Sequence, residues 1–152
     1  MYARILVPID GSACSDKGAK EAVALAQALR ATVVFLFAMD TLNARKEGVV
    51  NLSEALEALT AQGRPLLDAA RRTAASAGVR AVGELVEGSP AEAIVQRSID
   101  FDLVVMGSHG RGILKRLALG SVTQDVMQRL KCPMLVVRCD PAEERSSRHS
   151  LP

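Results

Sequence analysis

Three glycines in the second half of the chain have a spacing that suits a phosphate-binding loop. Positions 107–123 read GSHGRGILKRLALGSVT, so Gly107, Gly110 and Gly120 follow the pattern G-x2-G-x9-G and Ser121 comes next. Glycine tolerates positive φ angles and lets main-chain N–H groups approach an anion without an intervening Cβ. A helix that begins at Ser121 would add unpaired N–H groups and the positive end of its dipole. The hydroxyls of Ser121 and Thr123 would add donors, so the segment predicts a site for phosphate groups.

Two other phosphate-binding motifs do not fit this segment. The P-loop requires GxxxxGK[ST], and no Gly-Lys pair occurs in the chain. The dinucleotide fingerprint GxGxxG should follow the first strand, whereas Gly107-x-x-Gly110-x-Gly112 has another order and follows the fourth predicted strand. The glycine spacing alone also suits a loop that only reverses the chain. The position after a strand and the helix start at Gly120 are what favour nucleotide binding.

Alternating apolar patterns predict an α/β fold around this loop. Short apolar runs predict strands over 3–9, 32–38, 79–86, 103–106 and 133–138. Helical spacing predicts helices over 15–31, 52–77, from Pro90 onwards and over 121–130, whereas 40–50 has the composition of an exposed connection. Gly63 and Pro65 predict a kink in the second helix or two consecutive helices. The whole predicts an open, Rossmann-like, mostly parallel five-stranded sheet with helices on both faces.

The sequence also predicts how two helices begin and which side chains they bury. Ser89 suits a helix cap, Pro90 the first helical position, and Glu92 would complete a capping box. The apolar side chains expected to face the core are Ile94, Val95 and Ile99 in this helix, and Val122, Val126, Met127 and Leu130 in the last one.

Composition and charge restrict the class of protein. The 152 residues are 49% hydrophobic and 24% charged, which is typical of one folded domain that buries roughly two thirds of its surface. A net charge of +2, no Trp and one Tyr argue against a nucleic-acid binder, and no apolar run reaches the length of a membrane span. Positions 1–10 are too short and too soon interrupted for a signal peptide, and three scattered cysteines suit a reducing compartment. We expect a cytoplasmic domain over 1–139 with a flexible tail over 140–152.

With these motifs the chain resembles the universal stress protein family (UspA-like), whose ATP-binding members carry G-2x-G-9x-G-[S/T] after the fourth strand. The match extends through VPIDGS near the start, GSPAEAIV in the middle and CPMLVVR near the end. It covers nearly the whole domain except the tail and the 40–50 connection. The resemblance implies a five-stranded α/β fold like that of the adenine nucleotide alpha hydrolases. It also implies a homodimer formed through the last strand, here Met134–Arg138.

The resemblance further implies ATP as the ligand and a set of binding residues. Pro8 and Asp10 would flank the adenosine, and Ala38 would hold adenine through its backbone with Met106 packed nearby. The remaining implied positions surround the phosphates: Gly107, His109, Gly110, Arg111, Gly112, Gly120, Ser121, Val122 and Thr123.

Several of these side chains have two interpretations from the sequence. Asp10 either caps a turn or, at the crevice, accepts from a ribose hydroxyl or holds Mg²⁺. His109 is either a loop residue with a satisfied hydrogen bond or a neighbour of the phosphates, and no partner is identifiable that would make it a catalytic base. Arg111 could approach the phosphates, whereas Lys115 and Arg116 suit a solvated face. Cys14, near the crevice, is either oxidisable or a small packing residue.

Three functions remain open at this point. The first is a dimeric, ATP-binding stress-response module in which nucleotide occupancy biases the loop and the binding of a partner. The second is an ATP-hydrolysing or adenylylating enzyme, with Asp10 and Ser12 at the end of the first strand. The third is an interaction subunit that binds no nucleotide. The complete glycine motif and the absence of a convincing nucleophile–base pair favour the first.

Overall fold

The computed structural model describes residues 1–48, 51–110 and 119–140, in which five strands alternate with five α-helices. In chain order they are β1 (Arg4–Pro8), α1 (Ala13–Leu29), β2 (Thr32–Met39), α2 (Thr41–Lys46), α3 (Leu52–Ser76), β3 (Ala81–Glu87), α4 (Pro90–Arg97), β4 (Leu103–Gly107), α5 (Ser121–Arg129) and β5 (Met134–Val137). The predicted tail lies outside the described residues from position 141 onwards. The domain boundary at 139 stays a prediction. None of the described helices has the length and apolarity needed to cross a membrane.

The five strands form one parallel sheet in the order β3-β2-β1-β4-β5. The chain builds outward from β1 through β2 to β3, and then crosses to the other side of β1 to add β4 and β5. Val7 pairs with Phe35 on one side of β1, and Leu6 pairs with Val104 on the other. Because the strand order reverses between β1 and β4, the connections that leave their carboxyl ends diverge and open a crevice there. The predicted fold class is confirmed.

Side chains that alternate along the central strands fill two cores. Ile5, Val7 and Phe35 pack with α1 and α3 on one face of the sheet. Leu6 and Leu36 pack with α4 and α5 on the other. Each of these five side chains is essentially inaccessible to solvent. A sheet covered on both faces requires continuous apolar strands, which is the pattern that the sequence showed at 3–9 and 32–38.

Two predictions about the long first half need correction. Residues 41–46, expected to be part of an exposed connection, form α2, because the Asp40 carboxylate accepts a hydrogen bond from Asn43 N at 3.0 Å and caps the helix. Leu52–Ser76 is a single helix that continues through Pro65, so the two-helix alternative is wrong. Gly63 lies against the sheet, where an added Cβ would come within 2.5 Å of Phe37 Cδ1. This close packing offsets the main-chain hydrogen bond that Pro65 cannot donate.

The second half of the chain also departs from the prediction in detail. Ser89 occupies the N-cap position of α4 with Pro90 next, but its side chain makes no capping bond, so the capping box does not form. Glu92 instead pairs with Arg129 of α5. Ile99 is exposed, because the chain leaves α4 for a 3-10 turn that places Ser98 inward. Met127 is half exposed as well, since the buried stripe of α5 runs through Thr123 and Val126.

A bidentate ion pair connects the edge strand β3 to α4. Arg97 donates from Nε to Glu84 Oε2 at 2.8 Å and from Nη2 to Glu84 Oε1 at 2.9 Å, and both side chains are partly buried. The guanidinium also lies over the ring of Phe101. Through these hydrogen bonds, and against the effect of burial, Arg97 holds the pKa of the Glu84 carboxyl below its usual range. The charged pair therefore stabilises the fold most where Glu84 is ionised in both folded and unfolded chains.

We predict that Glu84→Gln lowers the free energy of unfolding at neutral pH by about 1–3 kcal/mol, since one charge-assisted partner of Arg97 is lost. A lowered folded pKa gives stability that is present above the ordinary glutamate value of 4.5 and is lost as the pH falls through the folded pKa. Urea denaturation at several pH values should thus show the two proteins converging below pH 4.5. Glu57→Gln, on the exposed side of α3, serves as the control. A constant difference across this range would contradict the assignment.

Candidate functional site

A cleft of about 550 Å³ opens at the carboxyl ends of β1, β2 and β4. It lies at the reversal of strand order and is closed at its sides by the beginnings of α4 and α5 and by α2 and α3. Eleven of the sequence-predicted site residues line it: Pro8, Asp10, Ala38, Met106, Gly107, His109, Gly110, Gly120, Ser121, Val122 and Thr123. Arg111 and Gly112 lie outside the described residues. The structure therefore brings the described positions together, and their binding roles stay predictions.

The floor of the cleft is apolar. Leu36 and Met106 come from β2 and β4, and Ile94 of α4 closes the space beneath them. Pro8 and Ala38 border the same space at the ends of β1 and β2. A flat, uncharged group gains free energy by entering such a slot, because apolar surface on both sides leaves water.

The β1–α1 loop is held by hydrogen bonds around Asp10. The Asp10 carboxylate accepts from Ser12 N at 2.9 Å, and Asp10 N donates to Ser15 Oγ at 3.1 Å. Ser12 Oγ in turn accepts from Ser15 N at 3.1 Å, which caps α1. The turn-capping interpretation of Asp10 is therefore present in the structure. The turn uses the Oδ1 atom of Asp10, while the Oδ2 atom lies beside Gly110.

Two motif glycines lie where an added Cβ would be crowded, and neither has an unusual backbone angle. A Cβ on Gly107 would lie 2.7 Å from the carbonyl oxygen of Cys14, and a Cβ on Gly110 would lie 2.7 Å from Asp10 Oδ2. Neither glycine is among the described residues with a positive φ, and Gly120 has φ −70°. The tolerance of glycine for positive φ angles is therefore not used at these three positions. The hydrogen atoms of Gly107 and Gly110 instead let α1 and Asp10 approach the end of β4.

The first turn of α5 forms the wall of the cleft opposite β1. Gly120 has no side chain to cap the helix, and the first main-chain bond runs from Gln124 N to Gly120 O at 2.9 Å. The amides of Ser121, Val122 and Thr123 therefore have no acceptor within the helix. The Thr123 hydroxyl, expected to donate to a ligand, instead donates to Gly107 O at 3.0 Å and is buried. The donors at this wall are main-chain N–H groups and the hydroxyl of Ser121.

Comparison with known proteins accounts for this arrangement. The model of the Universal stress protein family matches residues 1–138. The chain belongs to that family. Universal stress protein MJ0531 from Methanocaldococcus jannaschii is 34% identical over 143 residues, covering 91% of this chain and 83% of that protein.

Solved structures of universal stress proteins superpose on the chain. The structure of MJ0577 from the same organism has a TM-score of 0.83 at 29% identity and covers 92% of this chain and 98% of its own. A universal stress protein crystallised in complex with cAMP has a TM-score of 0.65 at 27% identity and covers 90% of this chain and 97% of its own.

Among the described residues of this universal stress protein, His109 carries a buried polar atom without a hydrogen-bond partner. Its Nδ1 atom is buried and has no hydrogen-bond partner among the described residues, although the side chain lines the cleft. The interpretation of His109 as a loop histidine with a satisfied hydrogen bond therefore fails at Nδ1. A buried nitrogen without a partner costs free energy, and an added donor or acceptor in the cleft would recover it.

The charged side chains along the cleft are acidic. Asp10, Asp40 and Glu47 line it, and no Lys or Arg does so within the described residues. Burial raises the pKa of nearby Asp16; Lys20 opposes this shift, and the Asp10 carboxylate adds to it. No group of three His, Cys, Asp or Glu side chains suited to a metal ion occurs in the described part of the chain. An anionic ligand must therefore be held by main-chain donors and by positive charge from outside these residues.

The sequence analysis missed one wall of the cleft. Asp40, Asn43, Ala44 and Glu47, from α2 and its ends, line the cleft together with Leu59 and Gln62 of α3. Asn43 Nδ2 donates to Glu47 Oε1 at 3.0 Å, which orders this polar wall. Asp40 before a run of helix-forming residues was a usable signal for a capped helix. The run lacks an apolar stripe long enough to show a helical period.

We predict that Gly107→Ala and Gly110→Ala differ sharply in stability. The first places a Cβ against the Cys14 main chain, which cannot move without shifting α1, so unfolding should become easier by about 1–3 kcal/mol. The second meets only the end of the Asp10 side chain, which can rotate, so its cost should stay near 0.5 kcal/mol, roughly that of an off-rotamer side chain. Chemical denaturation without ligand measures both. Equal losses would show that space is not what these glycines provide.

Proposed function

We propose that the cleft binds ATP and that the protein is a nucleotide-dependent regulatory module of the stress response. The observation that carries this proposal is the first turn of α5, where the amides of Ser121, Val122 and Thr123 border the cleft without intrahelical acceptors. A helix N-terminus of this kind favours a phosphate through both its N–H groups and its dipole. The universal stress protein in complex with cAMP supports an adenine nucleotide as the ligand class.

The apolar slot suits the base of such a nucleotide. An adenine ring between Pro8, Ala38 and Met106 would be shielded from water on both faces, and the main chain after β2 would meet its edge. The ribose and phosphates would lie along the cleft, between this apolar slot and the first turn of α5. Ligand pockets of this size typically combine an apolar floor with a few convergent polar groups.

Charge neutralisation is the second requirement of the proposal. The acids along the cleft repel a polyphosphate, so the nucleotide needs cations beside the α5 amides. Arg111, which follows Gly110 in the sequence and which the family resemblance assigns to the phosphates, would supply positive charge. Mg²⁺ would supply more: it commonly takes one or two protein carboxylates together with substrate phosphates, and Asp10 is the carboxylate at that side.

The experiment that tests the proposal removes one amide at a time. Ser121 is the first residue of α5 and is exposed, and Gly120 before it has ψ 159°, so proline at 121 fits the helix while deleting one N–H. We predict that Ser121→Pro weakens ATP binding by about tenfold in calorimetric titration, with the thermal midpoint unchanged.

Ser121→Ala is the matched control, because it removes the hydroxyl and keeps the amide. Its affinity for ATP should stay within about threefold of the wild type if main-chain donors carry the phosphate, since the loss of one solvated neutral hydroxyl costs well under 1.5 kcal/mol. Absence of ATP from the denatured, purified protein together with no heat at millimolar ATP would refute nucleotide binding. Phosphate release above background in single-turnover assays would add hydrolysis to binding.

We also propose a homodimer formed through β5, the edge strand included in Met134–Arg138. β5 pairs with β4 and with no other strand among the described residues, and Leu135 exposes 41% of its surface there. An unpaired apolar edge is a ready surface for a second strand of the same kind.

We predict that Leu135→Lys converts the dimer to a monomer in sedimentation velocity, because a charge at the centre of the strand cannot be buried without a partner. Val82→Lys tests the opposite edge of the sheet, where Val82 is 53% exposed on β3, and should leave the mass unchanged. A monomeric wild type, or a dimeric Leu135→Lys variant, would rule out this interface.

A further inference from the structure

Two residues at the end of β4 hold the first turn of α5 through consecutive carbonyl groups. Gly120 N donates to Ser108 O at 2.7 Å, and the Thr123 hydroxyl donates to Gly107 O at 3.0 Å. The first bond is made by Gly120, just before the amides of Ser121, Val122 and Thr123, and the second by the side chain of the last of these three residues. The direction of those amides therefore depends on where β4 ends.

Ser108 is itself fixed from three sides. Its N–H donates to Val137 O at 2.8 Å, and its hydroxyl accepts from Cys139 N at 3.2 Å and lies 3.7 Å from Cys14 Sγ. The side chain is 1% exposed. Ser108 thus contacts the end of β5, the start of α1 and the start of α5. It is not among the residues that line the cleft.

We propose that Thr123 and Ser108 are positioning residues, which aim the amides of residues 121–123 into the cleft without touching the ligand through their hydroxyls. The inference rests on the proposed ATP binding for its functional meaning. The Thr123 hydroxyl is buried and donates its proton to Gly107, so it has no proton left for a phosphate. Ser108 carries no atom to the cleft, and its hydroxyl instead fixes the main chain whose carbonyl receives Gly120 N–H.

The test uses variants that remove the hydroxyl and keep the volume. Thr123→Val and Ser108→Ala should each weaken ATP binding by about tenfold, the equivalent of one hydrogen bond to a charged group made with poor geometry. Thr123→Ser keeps the donor and should restore affinity to within about threefold of the wild type. Ser98→Ala is the control, because Ser98 is a buried serine whose hydroxyl donates to the Val95 carbonyl at 2.7 Å, away from the cleft.

A second readout separates positioning from a general loss of stability. Amide hydrogen exchange at Gly120 and Gln124, whose N–H groups donate to Ser108 O and Gly120 O, should accelerate in Thr123→Val and Ser108→Ala but not in Ser98→Ala, because only the first two release the start of α5. Ser108→Ala, which removes one oxygen atom, decides the question if Thr123→Val does not fold. Unchanged exchange at these amides, or an ATP affinity for both variants that matches the wild type, would overturn the inference.

The same measurements distinguish this inference from the proposed function. If the wild type binds no ATP, the proposed function fails, and local exchange alone decides whether the two residues hold the helix start. If the wild type binds ATP and Ser98→Ala weakens binding as much as Thr123→Val does, positioning is wrong while nucleotide binding stands.

Discussion

The close contact between the end of β4 and the starts of α1 and α5 is the constraint on which the rest of the structure depends. A Cβ at Gly107 would collide with the main chain of Cys14, and one at Gly18 would lie 3.0 Å from Gly107 N. Two surfaces without a Cβ, one on the strand and one on the helix, thus allow α1 to lie directly on β4. Because α1 is drawn to one face of the sheet and α5 to the other, the space between their starts remains open as the cleft.

This geometry explains how an acidic wall and an anionic ligand can coexist in one cleft. Asp40 and Glu47 belong to the α2 wall of the cleft, whereas the proposed phosphate site lies at the α5 wall, and interaction energies between charges fall with distance and with the polarity of the medium. One oxygen of Asp10 accepts the Ser12 main-chain N–H. The α5 amides provide local positive potential at the opposite wall. Under the proposed function, the cleft would thus have a nucleoside side and a phosphate side.

The sequence predicted the sheet and most of the cleft because both follow from strong periodic signals. The runs at 3–9 and 32–38 are continuous and apolar, and strand order in a parallel sheet brings the ends of β1, β2 and β4 together whatever the loops contain. What it could not predict depends on contacts between distant residues. Glu92 does not form the predicted capping box, because it pairs with the charged side chain of Arg129, thirty-seven positions away. Gly63 and Pro65 suggest a break in a helix, and only the structure shows that Phe37 and Leu85 lie against Gly63.

The glycine motif changes its meaning once its contacts are known. Counting three glycines suggested that an anion must approach the backbone, yet Gly107 is explained by Cys14 and Gly110 by Asp10, with no ligand required. An interaction subunit without nucleotide could keep these two glycines for packing alone. Packing alone does not require the first three amides of the nine-residue helix α5 to border a cleft of about 550 Å³. Gly120, which precedes these amides, provides no side-chain cap. Ser, Asp or Asn at position 120 would cap this helix better than glycine by only about a few tenths of a kcal/mol. Gly120 is itself buried, so packing also accounts for a residue without a side chain there. The position of the three amides at the cleft, not the glycine before them, is therefore the observation on which the proposed phosphate binding rests.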